Sequence, residues 1–420
     1  MNFQSQINQE SSFQLRQAME RLREGIFDPV AVRLLTAHED RLQAAVNVGL
    51  QQVSSGKLAQ LFVRGSYGQG KSHSLAYIQD YAQRQGYVTS MINLDPRELP
   101  LHQFKLVYGA LMENLKFPDR NDTVFEKRWK QWVEQQFAGK SITAESVKSL
   151  IPENIPHLFR CVLTGLAMNT VALTSKQKTA KKHMAYRPRE FSPQLARVFR
   201  GETISYSRLQ RALKYRQVDF YREQSLVCRG FEPYWQMLQG LSELFRKMGF
   251  GGWVILFDEG ESMTQANISM RNRNYQLLQQ IWFSEQPAHI LSVFAFTDDF
   301  FHKVESEDYD RQLLRQQGEE PLETPYFEQN YAQAWRSLNQ FHLQALTARE
   351  WDDLTEKLTM MHTRAYDWSA PDQLQELLRE RLKKSVGEET RYRLKGLVDQ
   401  LDLEQQALML KNVTSKANRS

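Results

Sequence analysis

The sequence predicts an α/β protein built on an open parallel sheet that is flanked by helices. A short apolar strand at 61–63 is followed by a glycine-rich loop, a helix over 72–84 and an alternating strand over 87–94, which is the repeating unit of a parallel sheet. The unbroken apolar run 253–257 has the composition of a strand that is buried on both faces. Further strands are expected over 290–296 and 341–345, and a capping box at 347–350 predicts that a helix begins there.

Composition excludes several classes of protein. The chain has 420 residues, of which 41% are hydrophobic and 25% charged, so it can bury a large core and is not disordered as a whole. Its two cysteines form no CxxC pair, which excludes a disulfide scaffold and a zinc ribbon. Apolar runs reach five residues, as at 253–257, whereas a membrane span needs about 20. With no signal-peptide pattern at the N-terminus, we expect a cytoplasmic protein that crosses no membrane.

Residues 65–72, GSYGQGKS, fit the phosphate-loop pattern GxxxxGK[ST] between a strand and a helix. Glycines let backbone N–H groups turn toward phosphate oxygens, and the following helix directs its N-terminus at the same anion. Lys71 is expected to contact the β- and γ-phosphates of ATP, and Ser72 to bind Mg²⁺. The alternative is a chance match that binds no ligand. The predicted nucleotide-binding residues are Gly65, Ser66, Tyr67, Gly68, Gln69, Gly70, Lys71 and Ser72.

Two acids end the strand at 253–257. We expect Asp258 to hold Mg²⁺ through water and Glu259 to act as the general base toward the attacking water. The alternative is that both residues cap a helix. Thr297, after the strand at 290–296, is the candidate sensor of the γ-phosphate, with Asp298 second, although a threonine that starts a turn fits equally well. The acidic pair favours a P-loop NTPase fold of the ASCE, AAA+-like type, with ATP hydrolysis as its activity.

The distance from Lys71 to Asp258 along the chain implies a large insertion. We predict an N-terminal helical segment at 1–58, the ATPase core at 59–120 and 249–345, a mostly helical basic insertion at 121–248, and a C-terminal helical lid or winged-helix-like region at 346–420. Residues 171–230 hold 14 Lys and Arg against 4 Asp and Glu. Basic residues interleaved with aromatics suit nucleic acid, whereas the alternative is a solvated helical face. The candidate DNA-binding residues are Lys181, Lys182, Arg187, Arg208, Arg211 and Lys214.

Several segments resemble the BREX-system ATP-binding proteins of the BrxD kind, a P-loop family related to AAA+/STAND ATPases of the Orc/Cdc6 type. Residues 64–73 resemble its loop R-G-x-Y-G-x-G-K-[ST]-H, and residues 249–261 resemble its glycine-led strand that ends in D-E-x-E. Residues 390–402 resemble its last motif but lack the proline before Arg391. The resemblance implies that His73 joins the nucleotide site, that Glu261 is a third acid, and that Arg391 is a sensor or lid arginine. Arg271 and Arg273 are further candidate arginine fingers, although a solvated surface arginine is the alternative for each.

The resemblance also implies a role in bacterial defence against phage, beside partners such as a helicase, methyltransferase or nuclease. The leading hypothesis is an ATPase that binds DNA, or loads or regulates a DNA-processing partner, and it could form a homo-oligomer. The first alternative is a STAND-type nucleotide switch with slow turnover, which acts on proteins and binds no nucleic acid. The second is a scaffold that does not hydrolyse ATP.

Overall fold

The computed structural model describes residues 3–26, 28–119, 124–138, 141–168, 191–308, 327 and 329–417. These residues form one sheet of five parallel strands in the order β2-β3-β4-β1-β5. The α/β class and the parallel sheet predicted from the sequence are therefore confirmed. The strands are β1 Ala59–Arg64, β2 Val88–Asn93, β3 Trp253–Asp258, β4 Ile290–Phe296 and β5 Gln340–His342.

Eighteen α-helices are described in the same residues. They are α1 Phe3–Asn8, α2 Ser12–Glu24, α3 Pro29–Leu35, α4 Glu39–Ser54, α5 Lys71–Arg84, α6 Phe104–Glu113, α7 Phe125–Gln136, α8 Ala144–Lys148, α9 His157–Ala167, α10 Phe191–Phe199, α11 Tyr206–Tyr215, α12 Glu232–Lys247, α13 Ile268–Trp282, α14 Asp298–His302, α15 Tyr331–Ala334, α16 Ala348–Tyr366, α17 Leu374–Lys384 and α18 Thr390–Ala417. Short 3-10 helices lie at Asp219–Arg222, Gly260–Gln265 and Trp335–Ser337, and Lys303–Glu307 forms a π-helix turn. Within the described residues, no helix is long and apolar enough to span a bilayer.

The two faces of the sheet contribute to two different hydrophobic cores. Alternate strand residues such as Phe62 and Phe294 join one core with the helices of the insertion, whereas their neighbours Val63 and Val293 join the other with α4 and α5. Trp129 of α7 is fully buried in the first core and donates its indole N–H to Leu163 O at 2.8 Å. The helices of the insertion therefore share their core with the sheet.

A third core joins the two ends of the chain. Buried residues of α1–α3, among them Leu15 and Met19, pack with α16–α18. Arg23 of α2 makes two hydrogen bonds to Asp402 of α18, at 2.6 and 2.8 Å. We call α1–α3 together with α16–α18 the helical unit. Of the helices in the predicted N-terminal helical segment 1–58, α1–α3 belong to this helical unit, whereas α4 packs on the sheet. Residues 346–417 form three helices and no strand.

Candidate functional site

The functional residues predicted on different strands meet at the carboxyl edge of the sheet. β4 lies between β1 and β3, so the end of β4 is flanked by the phosphate loop on one side and by the acids after β3 on the other. Gly65 donates its N–H to Phe296 O at 3.2 Å, which fixes the start of the loop against the end of β4. Open α/β sheets bind ligands at this edge.

The phosphate loop has the backbone that the glycine pattern predicts. Gly68 and Gly70 have φ angles of 75° and 92°, in the left-handed region where glycine is favoured. Gly70 is the N-cap of α5 and supplies no side chain to cap the helix, so first-turn N–H groups are available to an anion. Gln69 braces the loop by accepting the Ser66 N–H at 2.8 Å. Lys71 is buried and donates to Ser66 O at 3.3 Å.

The acidic turn after β3 is tightly constrained. Asp258 is buried and accepts the Glu259 N–H at 2.9 Å. Glu259 has a left-handed backbone, with φ of 55°. Gly260 follows because a Cβ there would lie 2.6 Å from Phe296 Cε1 and 2.7 Å from Ala295 O. Burial raises the pKa of Glu259, and the neighbouring Asp258 raises it further, while Lys71 opposes the shift. A raised pKa strengthens a carboxylate as a base.

Glu261 is the acid closest to the loop lysine among those for which a contact is described. Its Oε1 atom lies 3.9 Å from Lys71 Nζ, while its Oε2 atom is buried without a hydrogen-bond partner in the described structure. Burial raises the pKa of Glu261, and Lys71 partly offsets this. The third acid implied by the resemblance therefore lies beside the phosphate loop.

Thr297 and Asp298 follow β4 directly. Thr297 is the N-cap of α14 and is partly exposed at the end of the strand. Asp298 accepts hydrogen bonds from Arg64 Nε at 2.7 Å and from Ser66 Oγ at 3.0 Å. The bond from Arg64 lowers the pKa of Asp298. Arg64 was not among the predicted site residues, although its position at the end of β1, directly before the loop, could have indicated it. Asp298 therefore anchors the phosphate loop through these two hydrogen bonds.

His73 and Tyr67 have different surroundings. His73 Nε2 lies 2.8 Å from Thr36 Oγ1, at the end of α3, and burial lowers the pKa of His73 to about 4. His73 thus connects α5 to the helical unit. Tyr67 is 78% exposed, and its ring centroid lies 6.0 Å from Lys71 Nζ.

The three candidate arginines are placed in different environments. Arg271 is buried, and its guanidinium pairs with Asp308 at 2.9 Å, which gives it a structural partner. Arg273 is exposed on α13. Arg391 packs over the end of α2, where a Cβ at Gly25 would lie 2.6 Å from its Nε atom. Each position follows from tertiary packing, which the sequence spacing does not indicate.

The basic segment is only partly described. Lys181, Lys182 and Arg187 lie outside the described residues. On α11 the buried side is apolar, whereas Arg208, Arg211 and Lys214 are exposed on the helix and occur at spacings of three residues. Arg211 Nε also donates to Ser207 O at 3.0 Å.

These residues fit a magnesium ion bound together with a nucleotide. The Ser72 hydroxyl in the first turn of α5 and the Asp258 carboxylate are oxygen donors, which Mg²⁺ prefers, and phosphate oxygens and water complete such sites. Within the described ranges, no group of three His, Cys, Asp or Glu side chains could hold a metal by itself.

The chain matches one family of known proteins over most of its length. The family described as "BREX system ATP-binding protein BrxC/D" matches residues 12–203 and 228–414. No curated protein matches the chain by sequence. The Walker-type ATPase PABY2304 of Pyrococcus abyssi is similar at a TM-score of 0.33 and 11% identity, over 92% of this chain and 77% of that chain. That similarity is too low to carry an argument. The family match spans the phosphate loop, the acidic turn and most of the helical unit, and the chain belongs to the family of BREX system ATP-binding proteins BrxC/D.

Proposed function

We propose that this protein hydrolyses ATP at the carboxyl edge of the sheet, as part of a bacterial system of defence against phage. The observation that carries the proposal is the pair of Lys71 and Glu261 at 3.9 Å, with Glu259 and Asp258 in the same electrostatic cluster. The lysine proposed to bind phosphate and the acids proposed to support hydrolysis therefore lie side by side, although the chain separates Lys71 from Asp258 by 187 residues.

Each residue has a distinct role in the proposed reaction. The loop N–H groups and Lys71 bind the phosphates, and Ser72 and Asp258 would hold Mg²⁺, which neutralises phosphate charge when bound. Glu259 accepts a proton from the water that attacks the γ-phosphorus, and the bond from that phosphorus to the bridging oxygen of ADP breaks. Thr297 is the proposed contact to the γ-phosphate.

Steady-state turnover tests the hydrolysis. We expect Glu259→Gln to lower kcat by about 10²- to 10⁴-fold, the usual contribution of a general base. Lys71→Ala should weaken ATP binding. Glu285→Gln, at an exposed position before β4, is the matched control and should leave the rate unchanged. If Glu259→Gln hydrolyses ATP at the wild-type rate, the assignment of Glu259 as the general base is wrong.

We also propose that the exposed basic side chains of α11 contact DNA. Arg208, Arg211 and Lys214 offer three positive charges beside Tyr206, which is 61% exposed and could stack on a base. ATP hydrolysis would then load or regulate a DNA-processing partner, such as a helicase, methyltransferase or nuclease. A homo-oligomer of this chain is the assembly in which it would act.

Salt-dependent DNA binding tests this surface. Reversing the charges of the three basic residues should weaken binding and lower the slope of log K against log salt by up to about 3 units, roughly one per lost phosphate contact. Reversing Lys383 and Lys384, which are exposed on α17, is the control. If the slope of log K against log salt does not change, the proposal that α11 contacts DNA is wrong. ATP turnover that does not respond to either single- or double-stranded DNA would support the nucleotide switch that acts on proteins.

A further inference from the structure

Glu389, just before α18, lies against the phosphate loop. A Cβ at Gly68 would be 2.8 Å from Glu389 Cγ and 3.0 Å from Glu389 Cδ. The carboxyl end of this side chain is therefore in contact with the loop backbone. Gly68 meets two requirements at once, because its φ of 75° favours glycine and a larger residue would collide with Glu389.

Other residues of the described chain do not neutralise this carboxylate. No ion pair or side-chain hydrogen bond of Glu389 is found within the described residues, and its side chain is partly exposed. Asp298, which also contacts the loop, differs because Arg64 and Ser66 both donate hydrogen bonds to it. Glu389 thus brings an unpaired negative charge to a loop whose N–H groups and lysine are arranged for anionic phosphates.

The helical unit determines where Glu389 lies. Glu389 sits between α17 and α18, and its backbone oxygen accepts the Arg393 N–H at 3.1 Å. Two of the contacts between the helical unit and the rest of the chain are those of Thr36, just after α3, with His73 at 2.8 Å and of Glu350 on α16 with His38 at 2.9 Å. Movement of this unit would therefore move Glu389 relative to the loop.

We propose that Glu389 sets the selectivity of the phosphate loop among nucleotides, by repelling phosphate charge. The inference rests on ATP binding at the loop. The penalty grows with the number of phosphates, so it weakens ATP most, ADP less and AMP least. A tightly held triphosphate requires the helical unit to withdraw Glu389 from Gly68. Unit charges a few ångströms apart in a water-like dielectric change an equilibrium by about 3- to 10-fold.

Titration of the full chain with ATP, ADP and AMP tests the proposal. We expect Glu389→Gln to tighten ATP binding by about 3- to 10-fold, ADP binding by less and AMP binding hardly at all. Glu389→Lys should enlarge the difference between its effects on ATP binding and on AMP binding, because it reverses the charge at this position. Glu388→Gln is the matched control, since Glu388 is exposed and adjacent, and it should change nothing.

The possible results distinguish an electrostatic effect of Glu389 on nucleotide binding from a packing contact alone. Equal changes for all three nucleotides, or no change with either variant, would overturn the selectivity role and leave Glu389 as a packing contact. Thermal unfolding of each variant shows whether it folds. A wild-type protein that binds none of the three nucleotides would instead refute the proposed ATP site, and Lys71→Ala gives the reference for that result.

Discussion

The Arg23–Asp402 pair joins the two ends of the chain, and its coupling free energy measures how much this contact stabilises the fold. The two hydrogen bonds, at 2.6 and 2.8 Å, give a bidentate geometry between side chains that are 30% and 22% exposed. At about 4 Å, opposite charges attract by about 1 kcal/mol in water and about 4 kcal/mol at an effective dielectric of 20. Because partial exposure and side-chain entropy reduce the gain, we expect a net coupling of about 1–2 kcal/mol.

A double-mutant cycle with Arg23→Gln and Asp402→Asn measures this coupling from urea unfolding. The asparagine keeps an oxygen that can accept the bond from His362, so the cycle isolates the pair with Arg23. Arg379 and Asp352, at 3.0 Å but 50% and 48% exposed, are a control pair in the same helical unit, with an expected coupling below about 1 kcal/mol. Additive effects at Arg23 and Asp402, within about 0.3 kcal/mol, would refute the reasoning.

Three further predictions concern the acidic turn and pH. Gly260→Ala should destabilise the fold by about 1–3 kcal/mol or more, measured by urea unfolding, because its Cβ would lie 2.6 Å from Phe296 Cε1; wild-type stability would contradict this. The acid limb of the pH–rate profile should lie above that of an ordinary glutamate, because the pKa of Glu259 is raised, and a limb near pH 4.5 would argue against this base. Burial lowers the pKa of His362 below 6.5. Burial would raise the pKa of Asp402, but the hydrogen bonds from Arg23 and His362 outweigh it, so the pKa of Asp402 is also lowered. The unfolded chain then binds more protons, so the free energy of unfolding should fall as the pH falls below about 6.5, and less so in His362→Gln.

The phosphate loop and the acidic strand end could be predicted from the sequence because each depends on residues that are close together in the chain. The phosphate loop needs glycines, a lysine and a serine at fixed spacing, and the acids need the end of a buried strand. The structure has Lys71 at the start of α5 and Asp258 at the end of β3. The predicted capping box also begins α16, where Thr347 and Glu350 bond to each other's backbone N–H groups.

The positions of the charged partners could not be read in the same way. Arg271 is paired with Asp308, and Arg391 packs over Gly25, although the sequence suggested that both could reach a γ-phosphate. Glu389 carried no sequence signal, yet it contacts Gly68. Helical spacing indicates that one side of a helix is buried, but it does not say which distant residue covers the other side.

The sequence by itself determined that this chain has a phosphate loop, an acidic strand end and the strands that carry them. Each of these depends on residues within a few positions of one another. Tertiary structure decided the order of the strands, the union of the two chain ends in one helical unit, and the contact of Glu389 with the loop. Most of those contacts join segments that lie far apart along the chain, where many pairings satisfy the same apolar pattern and only the folded chain selects one.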